Sequence, residues 1–524
     1  MRRLIMLLVG AGLLAGCQRP AAPQSDMAGM DHGDPAVSKL PMIMTGYGAG
    51  GFPITTRVPQ AQAFFDNGMQ LGHAFAHKAA IRAMAQAVRL DRGCAMCQWG
   101  LAWAAGPTIN FGKNDEQYAA LAKITERAAA LAAKNATPRE RAMIDALRLR
   151  YAKGDKALDA LNFAKAMQAM SAREPGDNEL GVLAADAWLQ TAPKKSPEEK
   201  RNAQVAMSLL EPVLKRAPEY SPAIHFYIHA TEMAGVPILA EPYADRLAKL
   251  APQASHLIHM PSHTYYLVGR YQDAADANMR AVELGIQNAK ALGMPPPDGV
   301  WGLPYHMHNV SFGLGGALEA GDARGALALG RPLVWRSQRQ IKAPIDMQMV
   351  AANGYYAMAR FANPSEVLAL PVPVLPLFKA TWHYARGEAY SRLGRVNGVR
   401  AEAAAIEGMG GAQSKDDGGP QAQQLIMIAR GVLTGRAAMM EHRFKDAAVA
   451  FRQAAQLEES AEFSLVSDPP GWYYPVRRDL AAALLASGDR AGARKEAAGA
   501  LDYRKKDPGT LALLAGLDAK QATR

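Results

Sequence analysis

The chain has 524 residues, a formal net charge of +11 and 49% hydrophobic residues. Its length admits two or three domains or one long solenoid. The excess of positive charge fits acidic partners or anionic lipid, but no basic stripe with interleaved aromatics accompanies it, which excludes a nucleic-acid interface.

Read in chain order, the sequence begins with Arg2, Arg3 and an apolar run from Leu4 to Gly16. That run is shorter than the roughly 20 residues that a membrane helix needs, and it reads as a signal peptide over residues 1–16. It ends in Leu14-Ala15-Gly16-Cys17, which resembles a bacterial lipobox. The resemblance implies lipidation of Cys17, so that acyl chains hold the protein at a membrane. The following residue is Gln18 rather than the Asp that tends to retain lipoproteins at the inner membrane, which favours the outer membrane, facing the periplasm. Residues 17–56 are rich in Pro, Gly, Ala, Met and Ser and are expected to form a flexible tether. Within them Met27, Met30 and His32 combine thioether and imidazole, a set suited to copper capture; a plain Met-containing linker is the simpler reading.

From residue 57 onward, apolar residues recur at helical spacing and strand signals are nearly absent, which predicts an all-α protein. A recurrent unit is legible: a helix, a tight turn, then a helix with alanines seven apart, as at Ala80 and Ala87, Ala274 and Ala281, Ala447 and Ala454, and Ala493 and Ala500. Small residues at that spacing let two helices pack closely. The pattern resembles the tetratricopeptide (TPR) repeat, a helical hairpin of about 34 residues, and implies a TPR-like helical-hairpin solenoid. Residues 285–304, with Pro295-Pro296-Pro297, are expected to be a loop insertion, and 408–420 a Gly-rich loop. Residues 363–377 hold four prolines and read as a linker between an N-terminal solenoid, 57–362, and a C-terminal one, 378–520.

Two features carry chemistry. Cys94 and Cys97 form a lone C-x-x-C at the start of a helix. A local disulfide is the simplest reading, and ligation of copper(I) or zinc is the alternative. The second feature is a register of histidines. His225 and His229 are spaced i, i+4, as are His259 and His263, and the two pairs lie 34 residues apart, one repeat period. Ser221 and Ser255 share that spacing and read as N-caps, with Pro222 at the first helical position. First helices of neighbouring hairpins pack about 8–10 Å apart and line one groove, so four imidazoles there reach one ion. Aligning Gly269 with Gly321 sets His308 opposite His256 and places His308 on the same groove. Glu232, three residues after His229, is placed as an additional ligand or a partner behind one. Pro261 between His259 and His263 predicts a kink.

Together these stretches resemble a widespread family of bacterial TPR proteins. The shared motifs are Phe75-Ala76-His77, Cys94 to Gly100 with Gly106 to Asn110, His225 to His229, His259 to Tyr265, and His308-Asn309 to Phe312. They span about residues 60–315; Ala76, Gln98, Thr108 and Ser311 depart from the family pattern, the last standing where a further histidine is expected. The resemblance implies a TPR fold with a shared polar site, and supplies no activity.

The expectation is a lipid-anchored solenoid that holds a transition metal through His225, His229, His259, His263 and His308, copper being preferred over zinc and iron. Glu232, His256, His77, Cys94 and Cys97 are further candidates, and no organic cofactor is expected. A scaffold whose groove takes a peptide or envelope protein is the alternative, and a metalloenzyme of unknown reaction a second one. The sequence leans away from an enzyme: it holds no HExxH, phosphate loop, paired-carboxylate signature or nucleophile–base arrangement.

Overall fold

A computed structural model of the chain describes residues 42–152, 154–291, 293–407, 409, 419–466 and 469–522. The expected signal peptide, Cys17, Met27, Met30 and His32 lie outside the described residues, as does most of the Gly-rich stretch 408–420. Among the described residues no strand forms, and no helix is long and apolar enough to cross a membrane.

The N-terminal helices are α1 Pro59–His73, α2 His77–Leu90, α3 Ala95–Ala104, α4 Asp115–Asn135, α5 Pro138–Arg150, α6 Lys156–Arg173, α7 Asn178–Trp188 and α8 Pro197–Arg216. The central ones are α9 Ser221–Ala234, α10 Glu241–Leu250, α11 Ser255–His259, α12 Pro261–Leu267, α13 Tyr271–Ala291, α14 His306–Ala320, α15 Ala323–Ser337 and α16 Ile345–Phe361. The remainder are α17 Pro364–Leu368, α18 Pro376–Arg392, α19 Val396–Glu407, α20 Gly419–Met440, α21 Phe444–Glu458, α22 Arg477–Ala486, α23 Arg490–Tyr503 and α24 Pro508–Ala522. Consecutive helices pack as hairpins, α1 on α2 through α22 on α23, with α11 and α12 together forming the first arm opposite α13. The chain is a TPR-like helical-hairpin solenoid. Ala80, Ala87, Ala274, Ala281, Ala447, Ala454, Ala493 and Ala500, the alanines of the repeat pattern, are all buried on second helices.

Local expectations shift in four places. Ser221 and Ser255 are the first helical residues rather than caps. Their hydroxyls serve tertiary bonds: Ser221 Oγ accepts from the Ala49 N–H at 2.8 Å, and Ser255 Oγ donates to the Ala281 carbonyl at 3.0 Å. The insertion after residue 284 is shorter than expected, because α13 continues to Ala291 before the Pro-rich turn. The C-terminal part of the expected tether, residues 42–56, is tied to the solenoid: Met44 N–H donates to Asn67 Oδ1 at 3.0 Å, Gln253 N–H donates to the Gly46 carbonyl at 2.9 Å, and Thr55 Oγ1 donates to Glu140 at 2.7 Å. The Pro-rich stretch 363–377 breaks helices but not the core, since Val367, Leu377 and Phe378 are fully buried in the same apolar cluster as Leu314 and Tyr355.

Two glycines set the distance between α13 and α14. A Cβ on Gly316 would lie 2.8 Å from both Ala275 N and Tyr271 O, backbone atoms of α13 that cannot yield. One on Gly313 would lie 2.9 Å from Asn278 Cβ. α14 is also held by Glu319, buried and paired with Arg504 at 3.1 Å. Gly316→Ala is expected to push the two helices apart and to cost about 1–3 kcal/mol. Chemical denaturation of the full chain checks this; a variant as stable as the wild type would contradict the close approach.

Candidate metal centre

The histidines come from three consecutive first arms. On α9, His225 and His229 lie one turn apart on a single face, with Pro222 at the second helical position. On α11, His256 and His259 share a face at i, i+3. Pro261 offers no N–H and divides α11 from α12, yet Met260 keeps helical dihedrals (φ −49°, ψ −39°), so the chain continues its direction and His263 stays beside His259. His308 is on α14 and faces the same place.

These six imidazoles fall into two sets of three. In each, one ligand nitrogen per residue lies within 4.8 Å of the others: His225, His229 and His256 in one set, His259, His263 and His308 in the other. The four in-register histidines of the sequence are thus split between two groups, and His256 and His308 complete them. His308 joins His259 and His263 rather than lying opposite His256. Glu232 stands behind His263, its carboxylate 3.0 Å from Nδ1. His77 belongs to neither set; its Nε2 is 3.2 Å from the Tyr305 hydroxyl. Cys94 and Cys97 are joined to each other as a disulfide and pack in the apolar cluster of Phe65 and Trp99, so their thiolates are not available as ligands. His306 points to Trp301 instead, with ring centroids 4.8 Å apart.

Hydrogen bonds behind the rings decide which nitrogens are free. Asn278 Nδ2 donates to the Ala274 carbonyl at 2.8 Å, which fixes the amide orientation. Its Oδ1 therefore faces His259 Nδ1 at 2.6 Å, and His259 must carry its proton on Nδ1. Glu232 imposes the same tautomer on His263. The two Nε2 atoms face each other at 3.0 Å. In the other set, His225 Nδ1 donates to the His73 carbonyl at 2.7 Å, which again leaves Nε2 bare, 3.2 Å from His256 Nε2. His229 Nε2 and His256 Nδ1 are buried with no hydrogen-bond partner. Buried polar atoms left unpaired are costly, and an ion beside His229 Nε2 would supply the partner that atom lacks. Two nitrogens about 2.0–2.1 Å from one tetrahedral ion lie about 3.3 Å apart, close to the 3.0 Å and 3.2 Å pairs, and the third nitrogen of each set lies within 4.8 Å.

The surroundings keep four of the rings neutral. Burial, tempered by the hydrogen bond to His73, pushes His225 down to about 3. Burial first and neighbouring imidazoles second drive His229, His256 and His259 well below the ordinary histidine value. Aromatic walls close the cluster: Phe75 stacks on His256 with centroids 4.8 Å apart, Tyr305 lies 4.4 Å from the same ring, and Phe312 packs 4.5 Å from His263. Phe75 (φ 56°) and Tyr305 (φ 65°) are both held in the left-handed region, at about 1–2 kcal/mol each. Strained backbone of this kind gathers at functional sites.

Sequence reasoning missed Asn278, Tyr305 and the His73 carbonyl. Asn278 had a signal, a lone polar residue on the buried face between Ala274 and Ala281. The other two arise from contacts 228 and 152 residues apart and had none.

No protein-family model matches this chain, and no curated protein matches it. Solved structures that superpose on it include the Cut9–Hcn1 hetero-tetramer of the APC/C (11% identity, 87% of this chain and 76% of that chain, TM-score 0.29). The human IFIT1 dimer superposes at 13% identity over 78% of this chain and 90% of that one, TM-score 0.30. Yeast Tom70 does so at 12% identity over 83% and 97%, TM-score 0.24. Superpositions at these TM-scores have no bearing on what the chain does.

Protons and folding are linked through the cluster. His225 titrates at about 3 in the folded chain against an ordinary 6.5, so between these values the unfolded chain binds more protons, and stability is lost as pH falls through that window. Metal-stripped protein is expected to unfold at lower urea concentration at pH 5 than at pH 7.5, and His225→Asn to lose less over that interval. An equal loss in the variant would contradict the assignment.

Proposed function

We propose that this protein is an envelope-anchored, TPR-like lipoprotein whose central hairpins hold a transition metal ion through His259, His263 and His308. The observation that carries the reading is the convergence of one nitrogen each from His259, His263 and His308 within 4.8 Å of one another, with the Nε2 atoms of His259 and His263 facing at 3.0 Å. A metal ion draws on all three nitrogens at once.

Imidazole donors suit copper, zinc and iron. Copper is preferred, on the Met27, Met30 and His32 tether and the periplasmic location inferred from the Leu14 to Cys17 motif. Asn278 and Glu232 would orient the ligands from behind. A second reading, a scaffold for an envelope peptide or protein, is favoured by the exposed apolar turn of Val236, Ile238 and Leu239 after α9.

Elemental analysis of untagged full-length protein, isolated from its native envelope without chelator, tests the proposal. Stoichiometric metal is expected in the wild type, at least one equivalent less in His259→Ala/His263→Ala with helicity retained, and about 10–100-fold weaker binding in Glu232→Gln. A metal-free wild type, or a double variant that holds as much metal as the wild type, would overturn it.

A further inference from the structure

Resting on the metal-binding reading above, we infer that the centre is dinuclear: a second ion sits in the His225, His229 and His256 set, and the two ions share one small anionic oxygen donor, hydroxide being the simplest. Three observations support this. The two triads share no residue, and each is complete in itself within 4.8 Å. The second triad has its own reason to hold an ion, since His225 Nε2 is made bare by the His73 carbonyl and His229 Nε2 is buried without a partner. The seam between the sets is also no wider than the sets themselves. Across it, ring centroids are 5.7 Å apart for His229 and His263 and 5.6 Å for His256 and His259. Within the sets, spacings run from 4.5 Å for His259 and His308 to 6.4 Å for His229 and His256.

The donor set argues for the bridge. Three imidazoles leave each ion one ligand short of a tetrahedral shell. Six neutral rings also bring no negative charge to two cations, and Glu232 stands behind a ring rather than between the ions. A shared hydroxide fills both open positions and offsets charge at the place where it is most concentrated. Paired ions joined in this way can act on a small substrate held between them. Phe75, Tyr305 and Phe312 wall the cluster, so the ligand class is limited to small molecules and ions.

The test uses metal-stripped, full-length protein titrated with copper(II), read by bound equivalents and by electron paramagnetic resonance. The wild type is expected to bind two equivalents, and the signal seen after one equivalent should fall or broaden as the second is bound. His256→Asn and His308→Asn are each expected to bind one equivalent with an uncoupled signal. Saturation of the wild type at one equivalent would overturn the pair and leave the single-metal reading standing. No binding would remove both readings. Two equivalents with simply additive signals would overturn the shared ligand. The wild-type titration decides these outcomes without the variants, whose helicity is checked separately.

Discussion

Two imidazole nitrogens that face each other across 3.0 Å are the constraint on which the centre turns. The Ala274 carbonyl orients Asn278, Asn278 assigns the His259 tautomer, and Glu232 assigns that of His263. Each bond in this relay is ordinary, worth about 1 kcal/mol net. Their joint effect is to aim ring nitrogens at one point inside a low-dielectric interior. Such an arrangement is costly when empty and favourable around a cation.

The solenoid supplies the precision that this requires. Repeated first arms bring α9, α11 with α12, and α14 side by side, and close packing of Gly313 and Gly316 on α13 brings Asn278 and His308 within reach of the same rings. Both ends of the chain reinforce the middle. The α1–α2 turn delivers the His73 carbonyl and Phe75 to the cluster, and Arg504 from the C-terminal hairpin anchors α14 through Glu319. Phe75 and Tyr305, both with left-handed backbone, pack against His256.

Much of this was legible in the sequence. Alanines seven apart disclose close second helices because a helix face repeats after two turns, and the 34-residue recurrence of His225/His229 and His259/His263 discloses first arms in register. The division into two triads was not legible. It depends on tertiary packing that sets His256 Nε2 3.2 Å from His225 Nε2, and on the approach of α14, set by two glycines whose role appears only once their neighbours are known. The prolines of 363–377 end helices locally, and Val367 and Phe378 beside them pack in one apolar cluster with Leu314 and Tyr355, a contact that no local pattern discloses. The two cysteines could be read either as a clip or as ligands, and their spacing alone does not choose between these.

X-ray absorption at the metal edge of the protein as isolated from its envelope tests the central claim most directly. The account predicts a first shell of nitrogen or oxygen at about 2.0–2.1 Å, the outer-shell scattering of several imidazoles, and no sulfur. A sulfur shell near 2.3 Å, or light scatterers without the imidazole signature, would place the metal elsewhere and contradict it.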